Sequence, residues 1–131
     1  MKNIILSAVF SLSFIALIGQ KTIIATNTTF YKYNALYDEW TQTQESFNDT
    51  SYFEFKKGNS EILHLTKFGA KKFTFSEVTP NDNGFELEMQ NDDENLETLK
   101  VNYATGEIQL INNISFSKMT FTYFGMWDNE Y

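Results

Sequence analysis

In Phe85-Glu86-Leu87-Glu88-Met89-Gln90 every second residue is apolar, and that period of two returns along most of the chain. It places apolar side chains on one face of an extended strand and polar ones on the other. The pattern predicts strands over residues 28–36, 51–57, 61–68, 71–79 and 85–91. A hairpin follows over 97–113, turning at Thr105-Gly106, and a last strand over 114–124. Short turn signals separate them. The strongest is "NDNG" at 81–84, because Asn-Gly supplies the positive φ of a tight hairpin. No stretch carries the 3.6-residue period of an amphipathic helix. About eight short strands with turns of a few residues make a single antiparallel all-β meander, forming a small barrel or sandwich. Two segments break the rhythm, the linker 37–50 and the aromatic tail 125–131.

Residues 1–19 follow another pattern. Lys2 precedes an apolar run from Ile4 to Ile18, interrupted by Ser7, Ser11 and Ser13 and followed by Gly19. A positive start, an apolar stretch and a small residue are the layout of a secretory signal peptide. The run is also shorter than the roughly 20 apolar residues that span a bilayer. Cleavage is expected at Gly19–Gln20, leaving residues 20–131 as one β-domain, periplasmic or secreted, without a membrane span. A domain of this size buries a core without staples, and the chain, having no cysteine, uses none.

Charge narrows the partners. The net charge is −7, and all ten basic residues are lysines. An acidic chain does not suit nucleic acid, which needs clustered positive charge. Without arginine, bidentate recognition of a carboxylate or phosphate is unavailable.

His64, the only histidine, lies mid-strand on the face it shares with Ile62 and Thr66, opposite Leu63 and Leu65. A catalytic histidine needs an orienting acid and a nucleophile or substrate beside it, and a zinc site needs several His or Cys ligands. The sequence offers neither pattern. Residues 51–66 therefore read as a hairpin in which His64 has a structural role. Asp82, Asp92, Asp93 and Glu94 sit in acidic turns that invite calcium if the turns share one end of the sheet, but the spacing departs from an EF-hand loop. Glu86 and Glu88, two apart, share an outward face instead of flanking a cleft. The expectation is a protein that is no enzyme and uses no metal or cofactor.

Aromatic residues carry more of the argument. Trp40 either plugs a barrel end or forms an apolar lid with Tyr37 and Phe47. Around Phe121, Tyr123 and Phe124 both faces of the strand are apolar, so cover on both sides is expected, with a partner-binding patch as the alternative.

The signal-like start, the first strand leading to "DEW" at 38–40 and the closing "LKVNYATGEIQLI" at 99–111 together resemble small exported proteins of Bacteroidetes, flavobacteria above all. The resemblance implies a lipocalin-like β-barrel and no particular activity. The chain departs from lipocalins at their G-x-W signature, since Asp38-Glu39 precede Trp40.

Two functions are expected from this reading. One is a non-catalytic binding module for a small apolar ligand, lined by Trp40, Phe53, Phe55, Phe73, Phe75, Phe85, Leu87 and Met89. The other is an envelope or secreted component with a filled core, binding a protein partner through an edge strand or through Met126 and Trp127 in the tail.

Overall fold

The structure, a computed structural model, describes residues 21–56 and 60–128. The expected signal peptide, 1–19, lies outside the described residues. Nine strands follow one another: β1 (Lys21–Asn34), β2 (Glu39–Gln42), β3 (Phe47–Phe55), β4 (Glu61–Thr66), β5 (Gly69–Asn81), β6 (Gly84–Asn91), β7 (Leu96–Asn102), β8 (Glu107–Asn112) and β9 (Ser117–Asp128). Every pairing is antiparallel, in the order β2-β1-β3-β4-β5-β6-β7-β8-β9, and β9 returns to pair with β1. Eight strands thus close into a barrel. The short β2 lies outside the closed ring, on the far half of β1, from Tyr31–Gln42 to Asn34–Glu39.

The all-β meander is as the alternation predicts, but several boundaries differ. The first strand begins at Lys21, seven residues before the expected start. Thr26 and Thr28 straddle a bulge whose extra residue, Asn27, takes the left-handed region at φ 56°. A bulge shifts the inward phase by one residue. Ile23 and Ala25 point inward before it and Thr28 after it, so the period of two breaks where the strand continues. The same device occurs between Phe75 and Glu77 on β5, and on β9, where Ala25 pairs Tyr123 but Ile24 pairs Gly125. The linker 37–50 holds β2 and the start of β3. Most of the supposed tail belongs to β9, which begins at Ser117 because residues 113–116 form the preceding turn.

Asparagine writes most of the turns. Its short side chain accepts a hydrogen bond from a backbone N–H two residues on, closing an Asx turn. Asn34 Oδ1 accepts from Leu36 N, Asn81 from Asn83, Asn91 from Asp93 and Asn95, Asn102 from Ala104 and Thr105, and Asn112 from Ile114 and Ser115. At the β4–β5 turn the Thr66 hydroxyl does the same for Phe68 N.

The core fills one end of the barrel. Phe53, Phe55, Ile62, Phe73, Phe85, Leu87, Met89, Leu99 and Ile108 are all essentially inaccessible. A run of aromatic contacts closes that end: Phe55 against Phe75 and Phe85, Phe85 against Tyr103 at 6.3 Å, and Tyr103 edge-on to Tyr123 at 5.0 Å. Burial, then the neighbouring Tyr123, pushes the Tyr103 phenol up to about 12.

Gly84 shows how tightly β6 meets β7. A Cβ there would lie 1.9 Å from the Val101 carbonyl oxygen, a backbone atom that cannot swing aside. Gly84→Ala is expected to cost about 3 kcal/mol, the upper range for forced overpacking, and to lower the melting midpoint by roughly 15 °C. Gly106→Ala meets open space and only the strain of φ +72°, and should cost about 1 kcal/mol. Equal losses in thermal melts of the two variants would overturn the packing argument.

Candidate functional site

The turns alternate between the two ends of an up-and-down barrel. The β1–β2, β4–β5, β6–β7 and β8–β9 turns gather at the end opposite the aromatic plug. Here the interior is not filled. A cleft of about 450 Å³ opens, lined by Thr28, Phe30, Phe47, Asp49, His64, Thr66, Phe68, Gly69, Ala70, Lys71, Met119 and Phe121. Phe30 and Phe47 pack edge-on at 5.8 Å to form one wall. Phe30 enters that wall because the Asn27 bulge has reset the inward phase of β1.

His64 belongs to both core and cleft. Its ring stacks on Phe53, its cross-strand partner, at 4.2 Å and 4°, and meets Phe121 edge-on at 5.5 Å. It is 4% exposed, and its Nε2 has no hydrogen-bond partner among the described residues. Burial, and secondly the Lys71 ammonium, lower its pKa to about 4. The imidazole is therefore neutral at pH 7. Placed among aromatic rings, it has the role of a core side chain in the cleft wall.

Charge is organised beside it. Glu97, 3% exposed, takes the Lys71 ammonium at 3.4 Å and a hydrogen bond from Asn91 Nδ2 at 3.1 Å. Lys71 also lies over the Phe73 ring at 5.5 Å. The Thr28 hydroxyl donates to Asp49 at 3.2 Å. Lys71 is thus matched by Glu97, Asp49 is held by a hydroxyl, and the walls are left mainly aromatic. Such a surface favours apolar matter over ions.

The side chains expected to line a ligand site fall elsewhere. Phe53, Phe55, Phe73, Phe75, Phe85, Leu87 and Met89 face inward but make up the filled core, and none of them borders the cleft. Trp40 stands on β2, packed against Tyr33 at 5.5 Å with the Lys118 ammonium 4.6 Å above its ring. It neither plugs the barrel nor lids the cleft. Of the three-residue lid only Phe47 lines the opening, and Tyr37 is exposed. The residues that do line it, Phe30, Phe47, Phe68 and Met119, come from strand ends and turns.

Met126 packs against the core, while Trp127 lies half-exposed, 5.3 Å from Tyr52. Phe124, the bulge residue of β9, is 73% exposed, so the expected cover on both faces of that strand is missing. Asp82 stands before β6, whereas Asp92, Asp93 and Glu94 stand after it. The strand's eight residues hold the two acidic turns roughly 25 Å apart, not at one end of the sheet. Among the described residues no group of three or more His, Cys, Asp or Glu could hold a metal ion.

No family model, curated protein or solved structure matches the chain.

His64 makes the fold acid-sensitive in a defined window. An unfolded imidazole takes its proton near pH 6.5, and the folded one near 4. Between those values the unfolded chain binds more protons, so stability falls as the pH drops and is restored above about 6.5. The shift corresponds to roughly 3 kcal/mol lost by pH 4. His64→Phe keeps the stack on Phe53 and removes the titrating group. Urea melts at pH 7 and pH 4 should show that difference between wild type and variant. Parallel losses in the two proteins would refute it.

Proposed function

We propose that this chain is a non-catalytic, exported β-barrel that holds one small apolar ligand in the cleft at its open end. The observation that carries the reading is a concavity of about 450 Å³ with aromatic walls, at the unfilled end of an otherwise solid barrel. That volume falls within the range of small-molecule sites. Eight-stranded barrels lie at the size where side chains either fill the interior or leave room for a single ligand. This one does both, at opposite ends. The neutral imidazole and the Lys71–Glu97 pair support binding over catalysis, since among the described residues no activated nucleophile stands beside a base. The signal-like residues 2–19 support export.

A second reading has its own observation. Phe124 and Trp127 stand exposed on the side of the barrel, where a protein partner could cover them. The edge-strand version of this reading is left with β2, four residues long.

Native mass spectrometry of residues 20–131 from an exporting host tests the first reading. An adduct of roughly the mass enclosed by a single small-molecule site is expected. Met119→Trp fills the cleft from β9 and should remove the adduct while leaving the melting midpoint within about 5 °C. A protein bare after gentle purification and after incubation with apolar ligands would sink the proposal. So would an adduct indifferent to Met119→Trp.

A further inference from the structure

The large apolar side chains left in solvent are unevenly distributed. Leu36 and Tyr37 cap the β1–β2 turn, Phe68 the β4–β5 turn, and Ile114 and Phe116 the β8–β9 turn. Leu36 is 83% exposed and Phe68 80%. All five lie at the open end. Tyr33 N donates to the Phe116 carbonyl at 2.9 Å, which joins the first and third of these turns into one group. Phe68 faces them from the opposite lip, since it lines the cleft itself. Among the described residues the turns at the plugged end present one comparable side chain, Tyr103, and that is 39% exposed.

Phe116 adds an independent sign. It holds φ 52°, the left-handed region that disfavours a bulky side chain and suits Gly or Asn. A phenylalanine at this exposed turn position carries backbone strain and gains no burial in the barrel. Strain of this kind is kept where a surface uses the side chain.

The charges decide what the surface meets. In these three turns the ionic groups are one carboxylate and one ammonium. Asp38 accepts the Tyr33 hydroxyl, and Lys67 lies over the Phe47 and Phe68 rings at 5.0 and 5.2 Å. Lys32, Lys71 and Lys118 border a second hollow at this end, but Lys71 is held by Glu97 and Lys118 lies over the Tyr31 and Trp40 rings, so among the described residues they make no free cationic cluster for anionic headgroups. Asp92, Asp93 and Glu94 on the β6–β7 turn add negative charge at the same end. Separate protruding side chains on several turns suit a soft interface, into which each dips alone. A rigid protein partner would need a matching pocket for every one.

We propose that the open end of the barrel docks on an uncharged or zwitterionic lipid surface through Leu36, Tyr37, Phe68, Ile114 and Phe116, and that the cleft takes its apolar ligand from that surface. The ligand half of this rests on the function proposed above, and the docking half stands apart from it. The acidic β6–β7 turn stays in water, so the barrel sits tilted away from it, with the β1–β2, β4–β5 and β8–β9 turns lowermost.

Flotation with phosphatidylcholine vesicles tests the docking. The mature chain is expected to float with the vesicles, and Leu36→Ser, Phe68→Ser and Phe116→Asn each to lower partitioning about tenfold, near 1.4 kcal/mol. Asn suits the left-handed position, so Phe116→Asn should fold at least as well as wild type in a thermal melt. Phe124→Ser, on the side of the barrel, should float like wild type. No flotation of the wild-type chain, flotation only after phosphatidylglycerol is added, or equal losses from Phe124→Ser and the rim variants would each overturn the proposal. Self-association abolished by the rim variants without any vesicle binding would assign the surface to a second copy instead.

Native mass spectra of the same proteins separate the two halves. Leu36→Ser and Phe116→Asn, which do not line the cleft, should lose ligand uptake from vesicles but keep uptake from dilute solution. Flotation without any adduct would sink the ligand reading alone. An adduct without flotation would sink the docking alone.

Discussion

The structure depends on one pairing, β9 on β1. It runs from Lys21–Asp128 to Lys32–Ser117 and joins the two ends of the described chain. Without it the meander would be an open sheet with two long edges, each a row of unpaired backbone groups ready to meet another chain. Closure also confines the inner face. Once β1 carries β3 on one side and β9 on the other, apolar side chains from eight strands have only each other to pack against.

The same closure makes the bulges necessary. A strand winding round a small barrel must bend, and an extra residue supplies the bend while reversing which side chains point inward. On β1 the reversal at Asn27 turns Thr28 and Phe30 into the cleft. On β9 it leaves Phe124 outside and brings Met126 back to the core. The cleft therefore owes one wall, and the side of the barrel its exposed aromatic, to backbone irregularities of one residue each.

Side-chain bulk then divides the interior. Phe55, Phe75, Phe85, Tyr103 and Tyr123 crowd one end in a run of edge-on and tilted contacts. At the other end Thr28, Thr66 and the paired Lys71 and Glu97 stand among the larger Phe30, Phe47 and Met119, and the space between them stays open. His64 lies at the boundary, close enough to the rings to be stripped of its proton and close enough to the opening to line it.

Strict alternation was legible wherever a strand ran without a bulge. Residues 85–90 place their side chains as their pattern says, and so do 51–56 and 61–66 around His64. The turns after Asn81, Asn91 and Asn102 were legible too, whereas those that Asn34 and Asn112 open fall in or against the strands expected over 28–36 and 114–124. The lining of the cleft was not legible. A strand's period says that Phe53 and Phe30 both face inward, but not how far along the barrel axis each lies, and that height separates core from cleft. The amino-acid sequence by itself determined an all-β meander, several of its turns and the strand face that His64 shares with Ile62, because those follow from side-chain period and local turn chemistry. Only the tertiary structure decided which end is plugged, which side chains border the opening and where the exposed apolar turns gather. Those depend on the closing register of β1 and β9, an interaction between residues about a hundred positions apart.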